Sequence, residues 1–261
     1  MYLEKEFEVS KGLVIKAGQR IMEIYENEDF NVDMKSDNSP LTKADLEANE
    51  IIVKGLKENF PRYSILTEED ADDLSRLENE YVWIIDPIDG TKEFIKKNGE
   101  FTINVALVKD EEPVLGMVYS PAIDELFYAV KGNGAFEEIK EGKREITVSD
   151  NSRFEEMNLS ISRSHAGEKE QKIIPLFKNT VPKGSSLKGC LIANGTSDVY
   201  FRFGNTHEWD ICAMTAVLIE AGGKITDLEG NKIRFNQENT LLNGFVASNN
   251  KNHEELVSLA K

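Results

Sequence analysis

Apolar residues recur at helical spacing near the start of the chain. Leu13, Val14, Ala17, Ile21, Ile24 and Tyr25 line one face of an amphipathic helix. A polar loop follows, Lys35-Ser36-Asp37-Asn38-Ser39-Pro40. A second helix is predicted behind Thr42 as its N-cap, with Asp45 in capping-box position, Leu46, Ile52, Val53 and Leu56 behind it, and Pro61 at its end. Residues 63–67 read as a strand entering the acidic segment Glu68-Glu69-Asp70, and residues 81–85 as the next strand, with a break at Pro87. From Phe101 the period changes to that of successive strands, at 102–108, 114–119, 125–130 and 145–148, with Lys131-Gly132-Asn133-Gly134 as one turn. This is an antiparallel meander. Beyond Asn151 the pattern alternates: strands at 159–162, 199–203 and 245–248, helices at 169–177, 186–193 and 210–221, and a last helix near the C-terminus. Helices, sheet, helices, sheet, helices make a layered mixed α/β plan. A soft boundary falls near residue 155, between a 1–155 α+β subdomain holding the antiparallel sheet and a 156–261 α/β subdomain.

Composition narrows the classes. The chain has 261 residues and ordinary hydrophobic content, and no stretch approaches the ~20 apolar residues that span a bilayer. Its first residues lack the basic-then-apolar pattern of a secretory signal, so a cytoplasmic place is expected, with peripheral attachment at the inner membrane face as the alternative. Cys190 and Cys212 lie in apolar helical surroundings and read as reduced core thiols. The net charge of −16 argues against a nucleic-acid or membrane-surface partner and leaves small molecules. A phosphate substrate would be repelled by that field. Bound divalent cations and local Lys or Arg must then reverse the sign inside the site.

Candidate chemistry centres on Trp83-Ile84-Ile85-Asp86-Pro87-Ile88-Asp89-Gly90-Thr91. Two carboxylates at a strand end, a glycine permitting a tight turn and a nearby hydroxyl make a place for a hard cation and an anion, most simply a phosphate ester. Glu68 ends the preceding strand, and Asp210, after Trp209, opens an apolar helix. If the strands are neighbours, these carboxylates converge as ligands for Mg²⁺. Two such ions about 3.5–4 Å apart would activate water and stabilise a leaving oxygen. Each residue also has a plainer reading. Asp45 and Asp210 could simply cap helices, residues 68–73 could be a solvated acidic loop, Asp86 and Asp89 could make a turn, and His165 could sit at the surface. No D-x-D-x-D-G frame exists, which rules out an EF-hand. The frame is D-x-x-D-G-T, not the D-x-D-G-T of haloacid-dehalogenase-type phosphatases, so an aspartyl nucleophile is disfavoured and attack by metal-activated water is expected.

At these residues the chain resembles the inositol monophosphatase superfamily of lithium-sensitive, Mg²⁺-dependent phosphatases. Asp86-Pro87-Ile88-Asp89-Gly90-Thr91 matches its first signature, Trp209-Asp210-Ile211-Cys212-Ala213 leading to Glu220-Ala221-Gly222-Gly223 its second, and Thr67-Glu68-Glu69-Asp70 its upstream acidic element. One branch, the bacterial 3′(2′),5′-bisphosphate nucleotidases, is resembled further through residues 35–42 and 90–102, Ser162-Arg163-Ser164-His165, Gly184-Ser185-Ser186-Leu187-Lys188 and Arg202-Phe203-Gly204. The resemblance implies a layered α-β-α-β-α sandwich of the inositol monophosphatase and fructose-1,6-bisphosphatase type. It implies removal of the 3′-phosphate of adenosine 3′,5′-bisphosphate, a by-product of sulfate activation, to give AMP. The corresponding phosphosulfate is a further candidate substrate.

Carried over by that resemblance, Glu68, Asp86, the main-chain carbonyl of Ile88, Asp89 and Asp210 would hold two or three Mg²⁺ ions. Gly90 and Thr91 would hold the scissile phosphate, Thr91 with Asp45 would orient the attacking water, and Glu68 would act on water. Ile88, Asp89 and Asp210 would also border the substrate, while His165, Ser185, Lys188 and Arg202 would contact the nucleotide and its second phosphate. Ile211-Cys212 departs slightly from the small residues common in the second signature. An inositol or sugar phosphatase on the same scaffold is the alternative, and a non-catalytic metal- or nucleotide-binding protein is the alternative of another class.

Overall fold

The computed structural model describes residues 3–27, 32–34, 40–163 and 167–261. Helix α1 (Glu4–Asn27) buries Val14, Ala17, Ile21 and Ile24, the stripe expected from spacing. Helix α2 (Lys43–Asn59) starts where Thr42 and Asp45 form a capping box: the Thr42 N–H donates to Asp45 Oδ2 at 2.7 Å and the Thr42 hydroxyl accepts the Asp45 N–H at 3.4 Å. The capping reading of Asp45 therefore holds, and it does not exclude a second task for the other carboxylate oxygen.

Seven strands form the larger sheet: β1 (Ser64–Thr67), β2 (Tyr81–Asp89), β3 (Thr102–Lys109), β4 (Glu112–Ser120), β5 (Glu125–Val130), β6 (Ala135–Ile139) and β7 (Gly142–Ile146). They lie side by side in chain order. The β1–β2 pair is parallel, and from β2 onwards every neighbour is antiparallel, as a meander requires. Strand β6 was not visible as an alternation because Glu137 points inward and is buried. Its carboxylate accepts bonds from Arg144 and Asn194.

Both faces of this sheet are covered from β2 to β5, so those strands read as nearly continuous apolar runs. Trp83, Ile85, Ile103, Val105 and Leu107 join the core under α1 and α2. Val82, Ile84, Ala106 and Val108, one residue out of step, join the opposite core. That second core continues into the short helix α5 (Leu187–Ala193) and into α6 (Glu208–Glu220), which is apolar nearly all round because it lies between two sheets. The second sheet has β8 (Asn158–Ser162), β9 (Asn179–Lys183), β10 (Val199–Arg202), β11 (Lys224–Thr226) and β12 (Phe245–Ser248). Its order is β9-β8-β10-β12-β11, with only β12 running against its neighbours. Tyr200, Phe245 and Ala247 face α6, while Val199, Phe201 and Val246 face the outer layer of α4 (Glu168–Ile173) and α7 (His253–Leu259). The order of layers is therefore α-β-α-β-α, as expected. Edge strand β9 carries polar, partly exposed residues and no apolar alternation, which is why its sequence does not announce it.

The break expected at Pro87 does not occur. Strand β2 continues to Asp89, with its pairing to β3 jumping from Asp86↔Asn104 to Asp89↔Thr102. Two residues, Pro87 and Ile88, oppose Ile103 alone. A proline has no N–H for the ladder, and a bulge is the place within a sheet that tolerates it. Short helix α3 (Thr91–Ile95) follows directly. Among the described residues no helix is long and apolar enough to cross a membrane.

The seat of α6 on the sheet depends on Gly116. A Cβ there would lie 2.3 Å from the Ala213 carbonyl oxygen and 2.6 Å from Ala216 Cβ. Gly116→Ala is expected to cost about 1–3 kcal/mol in a urea titration, because α6 must lift from β4. Gly12→Ala on α1, where a Cβ meets nothing within 4 Å, is expected to be neutral or slightly stabilising.

Candidate active site

The adjacency required by the sequence reading is present. Thr67 pairs with Ile85 across parallel strands, and the Glu68 N–H donates to the Ile85 carbonyl at 3.2 Å. Glu68 and Asp86 therefore leave the same edge of the sheet. With ordinary alternation Asp86 and Asp89 would point to opposite faces, and the extra residue in the bulge brings them to one side. The Ile88 N–H closes the bend on Asp86 Oδ1 at 3.0 Å. The chain then turns at Gly90, whose φ of +94° favours glycine and where a Cβ would lie a tight 3.1 Å from the Glu100 carbonyl oxygen. Thr91 opens α3. Its hydroxyl lies 3.2 Å from the Ile88 carbonyl oxygen and 3.4 Å from Asp45 Oδ1. Asp45 Oδ2 is taken by Thr42, so the carboxylate turns its second oxygen to Thr91.

Asp210 arrives from the other half of the chain, in the first turn of α6. Its Oδ2 accepts the Thr206 hydroxyl at 2.6 Å and the His207 N–H at 2.8 Å. The cap reading of Asp210 holds too, with its other oxygen left to the site. The α6 terminus is held by a buried clasp that the sequence did not suggest. Glu208 accepts the N–H groups of Asn236 at 2.6 Å and Gln237 at 2.9 Å. Arg76, 1% exposed, grips the same segment through the Asn236 side chain at 2.6 Å and the Gln237 carbonyl at 2.8 Å, while pairing with Asp72. The acidic stretch after Glu68 is thereby tied to α6. Ser186 is a second link between the halves. Its hydroxyl and N–H bond to Asp89, its hydroxyl also donates to the Asp210 carbonyl, and Asn104 Nδ2 donates to it at 2.9 Å.

Electrostatics confirm that the carboxylates converge. Burial and then the charges of Glu68, Asp89 and Asp210 hold the Asp86 carboxyl well above the usual carboxylate range, and Glu68 shares a hydrogen bond with it. Burial, followed by Asp210, pushes Asp89 up to about 7, with Lys188 and Ser186 opposing. Among the described residues no three His, Cys, Asp or Glu side chains stand in a closed ligand set, so a cation would draw these oxygens inward. The donors fit a hard divalent ion: all are oxygens, and mutually repelling buried carboxylates gain most from one. Glu68, Asp86, the Ile88 carbonyl, Asp89 and Asp210 could hold it.

These residues border a cavity of about 740 Å³. Glu68, Asp89, Gly90, Thr91 and Asp210 line it together with Ser185, Lys188 and Arg202. Asp86, Ile88 and Asp45 lie just beneath it. Burial lowers Lys188 to about 8, with Asp89 opposing. Its ammonium donates to the Ser185 carbonyl at 2.7 Å and lies 5.2 Å from the Tyr200 ring centre. Arg202 donates to the Asn205 carbonyl at 3.0 Å, while its Nε and the Ser185 hydroxyl are buried without a partner. Both residues line the cavity, and their unsatisfied polar atoms suit a polar ligand. His207 and Trp209 add a parallel ring pair, centroids 4.5 Å apart, to the lining. His165 and the stretch 35–39 lie outside the described residues. Sequence reasoning missed Ser186, Tyr200, Arg76 and Glu208. Only Ser186, inside the quoted Gly184–Lys188 stretch, had a local signal.

The sequence profile of the inositol monophosphatase family matches residues 3–261. The 3′(2′),5′-bisphosphate nucleotidase CysQ of Buchnera aphidicola is 42% identical over 244 residues, covering 90% of this chain and 91% of its own. The Escherichia coli K12 protein of the same name is 38% identical over 241 residues, covering 90% and 96%. The crystal structure of CysQ from Bacteroides thetaiotaomicron, a bacterial member of the inositol monophosphatase family, superposes with a TM-score of 0.82 at 34% identity over 95% of this chain and 98% of that one. Enzymes of this family are in general metal-dependent. With its five layers, its paired signatures and this likeness along nearly its whole length, the chain belongs to the inositol monophosphatase family.

Proposed function

We propose that this protein is a Mg²⁺-dependent phosphatase that hydrolyses the 3′-phosphate of adenosine 3′,5′-bisphosphate, giving AMP and phosphate, and so serves the disposal of a sulfate-activation by-product. The observation that carries this reading is one cavity lined by two unlike sets of groups. One set is the carboxylates Glu68, Asp89 and Asp210 beside Thr91, and the other is Lys188, Arg202 and Ser185. A monophosphate substrate would use the first set alone, whereas a bisphosphate nucleotide uses both. The names of the Buchnera and Escherichia relatives support the same substrate. In this reading residues 1–155 contribute Asp45, Glu68, Asp86, Asp89 and Thr91, and residues 156–261 contribute Asp210 and the cationic set.

Two or three Mg²⁺ ions held by Glu68, Asp86, the Ile88 carbonyl, Asp89 and Asp210 would supply positive charge to the phosphoryl oxygens and acidify water. The backbone N–H groups of Gly90 and Thr91 hold the scissile phosphate against the turn. Asp45 Oδ1 takes the hydrogen of the Thr91 hydroxyl, which leaves the threonine oxygen free to accept a hydrogen from the attacking water and fix its direction. Glu68 receives a proton from that water as its oxygen bonds to phosphorus, the bond from phosphorus to the 3′-oxygen breaks, and the 3′-oxygen is protonated from solvent. Lys188, Arg202 and Ser185 hold the 5′-phosphate, which fixes the nucleotide while the 3′ bond is cut. His165 is assigned to the nucleotide by the sequence resemblance alone. Lithium, a competitor for hard oxygen sites, is expected to inhibit.

A substrate panel tests the assignment. kcat/KM for adenosine 3′,5′-bisphosphate is expected to exceed that for inositol 1-phosphate and fructose 1,6-bisphosphate, and an equal or higher value for either would refute it. Asp89→Asn is expected to lower turnover by more than the roughly 100-fold that loss of an outer-shell partner costs. The metal-free variant should melt at or above the wild type at pH 8, since a repelled charge is removed. Cation binding should also depend on pH. In the metal-free protein Asp89 takes up a proton below about 7, and binding needs the ionised form. Calorimetric Mg²⁺ affinity should therefore be full above that pH and weaken by up to about tenfold per unit below it for each proton displaced.

A further inference from the structure

Glu100 is buried, lies outside the cavity lining, and yet touches two stretches that line it, at Gly90 and at Gly184. Its Oε2 accepts the Gly184 N–H at 2.9 Å and Arg163 Nε at 2.7 Å, and its Oε1 accepts Arg163 Nη2 at 2.5 Å, with Lys183 Nζ at 3.6 Å. Its backbone carbonyl is packed against two glycines: a Cβ on Gly90 would lie 3.1 Å from it, and one on Gly184 2.7 Å. One residue thus holds the phosphate turn at Gly90 and the start of the Gly184–Lys188 stretch together. The stretch needs holding, because Ser185 has a φ of +47°, a left-handed conformation disfavoured for a residue with a Cβ.

We propose that Glu100 is a positioning residue for nucleotide recognition, fixing Gly184 so that the Ser185 hydroxyl and the Lys188 ammonium face the second anionic group of the substrate. Resting on the reading of the cavity as a bisphosphate nucleotide site, the inference separates two anchors of one stretch. Ser186 binds Asp89 and Asn104 without help from Glu100, so the cation side keeps its geometry when Glu100 is lost. Lys188 is tied to the Ser185 carbonyl at 2.7 Å, so it moves with the stretch that Glu100 holds. The Arg163 side chain is 48% exposed and can turn to water if its partner is removed.

Glu100→Gln and Glu100→Ala test this against a merely structural role. Both should keep the wild-type circular dichroism spectrum and, with a small phosphate monoester such as β-glycerophosphate, a wild-type kcat/KM. With adenosine 3′,5′-bisphosphate, Glu100→Ala should raise KM about tenfold while kcat stays within a few-fold, as expected when one charge-assisted bond is lost. Glu100→Gln, which keeps an acceptor for the Gly184 N–H, should fall between. Calorimetric binding of AMP to the metal-free protein should weaken in the same order, and binding of inorganic phosphate should not change. Equal losses for both substrates, or no loss for the nucleotide, would overturn the assignment. A wild-type enzyme that does not prefer the nucleotide would instead refute the proposed substrate.

Discussion

Four carboxylates held close together are the constraint around which this molecule is arranged. Burial and then the charges of Glu68, Asp89 and Asp210 raise the proton affinity of Asp86, and burial and then Asp210 raise that of Asp89. Such a cluster opposes folding unless the rest of the structure forces it. The force comes from two extensive cores. The sheet that carries Glu68, Asp86 and Asp89 is apolar on both faces, and α6 is apolar nearly all round, so neither can shift to relieve the repulsion. The repulsion that is unfavourable without a cation is what a cation would relieve.

The site lies across the two halves of the chain, and it depends on polar ties as much as on the core. Arg76 and Glu208 grip the segment 236–237 from opposite sides, linking the stretch after Glu68 to the helix of Asp210. Ser186 bonds to Asp89 and Asp210 together. Each tie is buried and each charged member has hydrogen bonds, the condition under which a buried ion costs least. Their common effect is to fix distances between residues far apart in sequence, which hydrophobic packing alone specifies loosely.

Charge explains the make-up of the cavity. At a net −16 the protein repels anions at long range. Attraction must be local, and it is: Lys188 and Arg202 line the same cavity as the carboxylates, with Lys188 near enough to lower the proton affinity of Asp89. Glu100 acts in the contrary sense, since it takes up Arg163 and lies beside Lys183.

Much of this was legible in the chain itself. The order of elements, the Thr42–Asp45 cap, the meander and the carboxylates of the two signatures follow from local periodicity and spacing, because helices and strands bury one face and leave that record in sequence. Strands β6 and β9 left none, since one buries a glutamate and the other is a polar edge. Pro87 misled, because a proline at a bulge looks in sequence like a proline at a break. Arg76, Glu208 and Ser186 carry no role that spacing reveals, since a polar residue's partner can lie anywhere in the chain. The sequence by itself determined the layers and the chemical identity of the carboxylates. Only the tertiary structure decided which charges are buried together, which oxygens of Asp45 and Asp210 remain for the site, and where Glu100 is anchored. Those are properties of distance, and distance between remote residues exists only once the chain has packed.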